Sequence, residues 1–100
     1  MSEPTITHNP KTQRYEALID GEVAGFISYE RLDDVLDLQH TIVEPAFEGR
    51  GIGTALARGV FEDLREQGGL RAVPTCPFLA RWLTRHEEYA DLRHRPEAHA

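Results

Sequence analysis

The segment EGRGIGT at residues 48–54 has the residue types and spacing that best suit the binding of a ligand. Its glycines have no Cβ atom, so the backbone can approach a ligand closely. We predict that a helix follows directly. The first N–H groups of a helix have no intrahelical partner and carry partial positive charge. The segment therefore suits a phosphate or pyrophosphate, with the Arg50 guanidinium and the Thr54 hydroxyl as further donors.

The spacing of these glycines argues against two common nucleotide-binding motifs. A Walker loop requires Gly-Lys-Ser/Thr, which is absent here. A dinucleotide fingerprint requires G-x-G-x-x-G, whereas the glycines here are Gly49, Gly51 and Gly53. It also requires an acidic residue at the end of the next strand, where this chain has Val73-Pro74. On spacing alone, a tight strand-to-helix turn without a ligand remains an open alternative.

Cys76 and His40 are the candidate catalytic residues. Cys76 directly precedes Pro77, a residue suited to the first turn of a helix, so the thiol is expected at or next to a helix N-cap. That position lowers the pKa of a cysteine and favours its nucleophilic thiolate. His40 lies on a predicted strand and could serve as a general base. The alternatives are a small buried residue for Cys76 and a core residue for His40.

Alternation and turn signals predict the elements that position these residues. Strands are expected at residues 5–9, 14–19, 22–29, 36–43 and 70–73. The strand at 36–43 should place Leu36, Leu38, His40 and Ile42 on one face. The first helix carries an apolar stripe formed by Gly53, Leu56, Ala57, Val60, Phe61 and Leu64. The second carries Phe78, Leu79, Trp82, Leu83 and His86, where we expect Trp82 and His86 to serve in packing.

The order β-β-β-β-α-β-α predicts an α+β fold with a mixed, mostly antiparallel sheet and helices packed against it. The Asp20-Gly21 pair supplies the positive φ angles of a tight hairpin after the second strand. Residues 1–93 are expected to form one domain, and residues 94–100 a frayed tail. The histidines at 8, 40, 86, 94 and 99 lack the spacing of metal ligands, so we expect no metal.

Three segments resemble the GNAT N-acetyltransferases. The segment from Val43 to Leu56, which contains the glycines, is similar to the acyl-CoA-binding motif of that family. Together with HTIV at 40–43 and PTCPF at 74–78, it resembles the very small, single-domain Acetyltransf_CG group. The resemblance covers the chain from about Thr5 to Leu92. Two positions depart from the usual patterns, because Glu48 stands where Gln or Arg is usual and Glu87 where Pro is common.

The resemblance implies acetyl-CoA as co-substrate. It implies that the loop amides, from Gly49 through Arg50, Gly51, Ile52 and Gly53 to Thr54, hold the CoA pyrophosphate. It implies that Thr41, Ile42 and Val43 lie on a splayed strand that meets the pantetheine and the thioester. Cys76 would then lie near the thioester, either as acyl carrier or as the acid that protonates the leaving thiolate.

The function expected on this basis is transfer of an acetyl group to an unidentified amine. The alternative is a non-catalytic CoA-binding or regulatory module. The acceptor would be a small-molecule or lysine-type amine, since a formal net charge of -6 weakly favours a cationic partner and disfavours nucleic acid. We expect no membrane association, a cytoplasmic location consistent with the single cysteine, and a monomer or weak dimer.

Overall fold

The protein, described by a computed structural model over residues 3–95, folds around one five-stranded sheet. Its strands are β1 (Thr5–Asn9), β2 (Arg14–Ile19), β3 (Glu22–Leu32), β4 (Val35–Val43) and β5 (Arg71–Pro74). Its helices are α1 (Ile52–Gln67) and α2 (Pro77–Thr84), with short 3-10 turns at Pro45–Phe47 and Glu87–Leu92. The strand order is β1-β2-β3-β4-β5, antiparallel except for the parallel β4–β5 pair. The predicted α+β fold with a mixed sheet is confirmed.

The boundaries differ from the predicted ones in a few places. β3 continues to Leu32, and β5 ends at Pro74 rather than at Val73. Asp20 and Gly21 adopt the positive φ angles expected of the hairpin, 50° and 81°. The backbone N–H of His94 donates to the Ala72 carbonyl at 2.8 Å, so the first residue assigned to the tail is attached to β5. Residues 96–100 of that predicted tail lie outside the described residues.

The core lies on one face of the sheet. α1 buries six side chains there: Ile52, Leu56, Ala57, Val60, Phe61 and Leu64. α2 packs beside it, with the Phe61 and Trp82 rings stacked at 5.6 Å between centroids. The sheet contributes Tyr15, Ala17, Ile27, Leu36 and Leu38 to this core. The residues that alternate with them, such as Glu16, Phe26 and Ser28, are not fully buried, and no helix in residues 3–95 covers their face.

A β-bulge in β4 reverses the predicted facing of its second half. Ser28 pairs with His40 and Tyr29 pairs with Leu38, which leaves Gln39 as an extra residue on β4. One inserted residue moves all later side chains to the other face. Leu38 is fully buried, whereas His40 and Ile42 are exposed on the open face, Ile42 at 45%. The prediction that these residues share one apolar face with Leu36 is therefore wrong.

Candidate functional site

The glycine loop presents unpaired backbone donors at the start of α1. Gly49 and Gly51 have φ angles of 80° and 73°, which favour glycine. Gly51 is the N-cap of α1 and has no side chain to cap it. The first α-helical hydrogen bond runs from the Ala55 N–H to the Gly51 carbonyl at 3.0 Å. The N–H groups of residues 52–54 therefore precede the helical ladder and are available to an anion.

An open cleft of about 260 Å³ lies against this loop. Beyond the loop residues, it is lined by Val43 from β4, Phe47 from the connecting turn and Phe78 from α2. The Arg50 guanidinium carbon lies 5.5 Å from the centre of the Phe47 ring, so the cation stays beside the loop. The cleft thus joins donors suited to phosphate with an apolar wall that continues toward β4.

β4 and β5 separate halfway along β4. Their pairing runs from Val35 opposite Arg71 to Leu38 opposite Pro74. The Cys76 N–H then donates to the Leu38 carbonyl at 2.9 Å, and the chain enters α2. The segment from Thr41 to Val43 keeps β3 on one side, but no described strand lies on its other side. This is the splay that the resemblance implied.

The register shows which backbone groups the splay leaves open. The Glu44 N–H donates to the Ala24 carbonyl at 2.8 Å. Since hydrogen-bonded positions alternate along an antiparallel pair, Ile42 directs its peptide groups toward β3. Thr41 and Val43 consequently direct theirs toward the open edge. Thr41, Ile42 and Val43 were all expected to bind acetyl-CoA. Only Thr41 and Val43 have backbone groups that are available to a ligand.

Cys76 lies across the splay from Thr41. It is the N-cap residue of α2, as predicted, and is 8% exposed. Its Sγ lies 3.4 Å from Thr41 Oγ1 and makes no capping hydrogen bond to α2. Burial raises the pKa of the thiol, but the Thr41 hydroxyl and the polar amides of Leu79 and Phe78 outweigh it, so the pKa lies below its ordinary value. The contact between Thr41 on β4 and Cys76 at the start of α2 therefore bridges the splay, and it involves a thiol whose pKa is lowered.

His40 is not brought together with Cys76. The bulge turns its imidazole to the open face, opposite Ser28 of β3 in the register. It neighbours Thr41 in sequence, but the two side chains lie on opposite faces of the sheet. His40 is therefore placed where an acceptor could approach, and it does not take part in the Thr41–Cys76 contact.

A second cleft, which the sequence pattern did not indicate, adjoins the first. It measures about 240 Å³ and shares Thr54 and Phe78 with the loop cleft; its other lining residues are Arg81, Trp82, Arg85 and His86. The two arginines follow each other at helical i,i+4 spacing, a signal that an exposed helix face also gives. Trp82 is 6% exposed and stacks on His86 at 3.8 Å, so both residues serve in packing as predicted.

The structure also bears on metal binding and on membrane-spanning helices. Within residues 3–95, no group of three or more His, Cys, Asp or Glu side chains stands in an arrangement that could hold a metal ion. None of the helices in this part of the chain is long and apolar enough to cross a membrane.

The chain is similar to known proteins over most of its length. A family model of GCN5-related N-acetyl-transferases, Acetyltransf_CG, matches residues 14–92. Protein NATD1 from Xenopus tropicalis is 30% identical over 80 residues, which cover 78% of this chain and 72% of that protein.

Solved structures share the fold. A GCN5-like protein from Staphylococcus aureus, determined by NMR, superposes with a TM-score of 0.68 at 25% identity, covering 99% of this chain and 96% of that one. A ribosomal-protein alanine N-acetyltransferase from Escherichia coli is similar in fold, with a TM-score of 0.56 at 22% identity, over 74% of this chain and 50% of that one. The matched region holds the glycine loop, the splay and Cys76, and the chain belongs to the family of GCN5-related N-acetyltransferases.

Proposed function

We propose that this protein binds acetyl-CoA between the glycine loop and the splay and transfers the acetyl group to an amine. One observation carries the proposal: the open edge of β4 lies between unpaired helix donors on one side and Cys76 on the other. When the CoA pyrophosphate is bound to the backbone of residues 49–54, the pantetheine arm lies beside Val43 and the thioester lies beside Thr41. The Glu48 side chain is exposed and has no part in this binding.

The groups along the open edge suit the chemistry of a thioester. A peptide N–H of Thr41 or Val43 directed into the splay can donate to the thioester oxygen, whose negative charge grows during attack by an amine. The apolar wall formed by Val43 and Phe78 lowers the local dielectric on that side of the cleft, which strengthens that hydrogen bond. The cleft therefore stabilises the reacting carbonyl without an additional charged side chain.

We assign Cys76 the role of proton donor. The amine nitrogen forms a bond to the thioester carbon, the carbon–sulfur bond breaks, and the departing thiolate takes the proton from Cys76 Sγ. Thr41 holds the thiol at the splay through its 3.4 Å contact, and solvent restores the proton afterwards. His40, on the open face, accepts the proton of the amine through a water molecule.

Cys76 could instead attack the thioester and carry the acetyl group, which its lowered pKa would favour. The comparisons offer no support for such an intermediate. Intact mass at early times after mixing with acetyl-CoA separates the two routes. Direct transfer predicts unmodified protein, whereas one added acetyl group that is absent from Cys76→Ala would replace our assignment with an acyl-enzyme.

A CoA-binding module without catalysis is the second candidate, and it is favoured by the open face that no helix in the described part of the chain covers. Acetylation of a polyamine and of a lysine peptide should fall about a hundredfold in both Cys76→Ala and His40→Ala, with CoA affinity retained. If neither substitution lowers acetyl transfer while CoA still binds, the module is the better description.

The acceptor, the cellular location and the oligomeric state are part of the same proposal. The acceptor is a small-molecule or lysine-type amine, favoured by the net charge of -6. We place the protein in the cytoplasm, because its single cysteine suits a reducing compartment. We propose a monomer or a weak dimer.

CoA binding is tested with a matched pair of glycine variants. Gly51 and Gly68 lie at opposite ends of α1, both with φ near 73° and with open space where a Cβ would stand. Alanine should cost about 1 kcal/mol at Gly51, which is left-handed helical with ψ 21°, and more at Gly68, whose ψ of 150° lies in a region that essentially only glycine adopts. Only Gly51→Ala should weaken CoA binding, because only its backbone lies in the loop. Equal CoA affinity in the two variants would contradict the assignment of the loop.

A further inference from the structure

The cleft that adjoins the glycine loop is basic in an acidic protein. Arg81 and Arg85 are exposed on its rim, one helical turn apart, and no ion pair within residues 3–95 engages either guanidinium. The chain as a whole carries a formal charge of -6. Two unneutralised arginines at one cleft therefore form a local site for an anion, since guanidinium groups bind phosphate through paired hydrogen bonds.

The floor of this cleft is aromatic. Phe78 and the stacked Trp82–His86 pair line it. His86 Nδ1 contacts the Trp82 carbonyl at 2.7 Å, which fixes the imidazole plane against α2. Trp82 is almost fully buried and its ring is stacked on His86, so the half-buried rings of Phe78 and His86 are the aromatic surfaces that a purine can reach.

The position of the cleft defines what can reach it. It shares Thr54 and Phe78 with the cleft at the loop, so a ligand held by its pyrophosphate on residues 49–54 can extend into it on the side away from the splay. In CoA, the group beyond the pyrophosphate is an adenosine with a 3′-phosphate. Its purine matches the aromatic floor, and its phosphate matches the arginine pair.

We propose that Arg81 and Arg85 recognise the 3′-phosphate of the acyl donor and restrict this protein to acyl groups carried on CoA. The proposal rests on the function proposed above. It makes donors that lack the 3′-phosphate, including acyl groups on phosphopantetheine, poor substrates. Arg81 and Arg85 are specificity-determining residues remote from the reacting atoms, and their effect falls on donor binding and leaves kcat unchanged.

Calorimetric titration with CoA and with 3′-dephospho-CoA tests the proposal. The unaltered protein should bind CoA about tenfold more tightly, and the difference should shrink as salt rises. In Arg81→Ala/Arg85→Ala the CoA affinity should fall to that of dephospho-CoA, whose own affinity stays unchanged. Arg93→Ala, an exposed arginine in a different cleft, should behave as the unaltered protein.

The outcomes separate this proposal from the one on which it rests. Equal affinity of the unaltered protein for both ligands would overturn the role of the arginines while leaving CoA binding intact. Equal losses for both ligands in the double variant would also overturn it, because the arginines would then act elsewhere on the nucleotide or on folding. Binding of neither ligand would remove the proposed function itself.

Discussion

The two halves of β4 differ in their strand pairing and in the burial of their side chains. Before the bulge, Val35 to Leu38 pairs on both edges and buries Leu36 and Leu38 under the helices. After it, Thr41 to Val43 pairs only with β3 and leaves Ile42 45% exposed. One extra residue, Gln39, separates the halves. We infer that the first half holds the fold together and the second half holds the ligand.

The difference has a physical origin in how strands satisfy their backbone. A strand paired on both edges has no free peptide groups and can only contribute packing. A strand with one open edge must satisfy those groups with water or with a ligand. By turning Thr41 toward Cys76 and His40 toward the open face, the bulge also distributes candidate catalytic groups on both sides of that edge.

The largest effect expected from this comparison is on stability. Leu38→Ala should lower the free energy of unfolding by about 2–5 kcal/mol, because Leu38 is fully buried. Ile42→Ala, four residues on, should change it by less than about 1 kcal/mol. Urea unfolding followed by the fluorescence of Trp82, the single tryptophan, measures both. Similar losses in the two variants would mean that the second half belongs to the core after all.

A smaller effect should follow from Gly25→Ala on β3, opposite Val43. A Cβ there would lie 2.6 Å from the Ile42 carbonyl oxygen, so the backbone of the second half must move. We expect a loss of about 1–3 kcal/mol and weaker CoA binding.

The matched control is Gly59→Ala, where the Cβ would meet the Ile6 side chain at 2.7 Å, away from the splay. It should cost stability but leave CoA affinity unchanged. If Gly25→Ala binds CoA as tightly as Gly59→Ala, the second half of β4 is not part of the ligand site.

The smallest predicted effect concerns Cys76. Thr41→Val removes the hydroxyl that lowers the pKa of the thiol, so the pKa should rise. The thiolate absorbance in the ultraviolet, followed against pH, reports it directly. Thr75→Val is the control, since its hydroxyl donates to Asp37 and not to the sulfur. An unchanged titration midpoint in Thr41→Val would show that Thr41 does not tune the thiol.

The same change gives a pH dependence with a defined sign. A proton donor acts only while its thiol is protonated, so acetyl transfer should decline as pH rises through the pKa of Cys76. Because Thr41→Val raises that pKa, the decline should move to higher pH. A shift toward lower pH would contradict the role of Cys76 as an acid.

The spacing of apolar residues and the residue types at the turns were enough to predict the order of the strands and helices. The stripe from Leu56 to Leu64 predicted α1, and Asp20-Gly21 predicted the hairpin. The glycine loop could be identified from residue types and spacing, because its function depends on backbone groups that adjacent residues supply. These features are local, so their signals lie within a few residues of each other.

The features that were missed depend on contacts that local pattern does not contain. The bulge adds one residue without changing the alternation of residue types from Leu36 to Ile42, so His40 was placed on the wrong face. The Thr41–Cys76 contact joins residues 35 apart in sequence. The basic cleft was missed because two arginines four apart, one on α2 and one at its C-cap, look like any solvated helix face.

We propose that a CoA molecule occupies the loop and the second half of β4 but leaves the first half unaffected. Amide chemical shifts during an NMR titration with CoA test it most directly. We predict large shifts for Thr41, Val43, Gly53 and Thr54 and near-constant positions for Leu36 and Leu38. Unchanged spectra at millimolar CoA, or equal shifts along the whole of β4, would contradict the account.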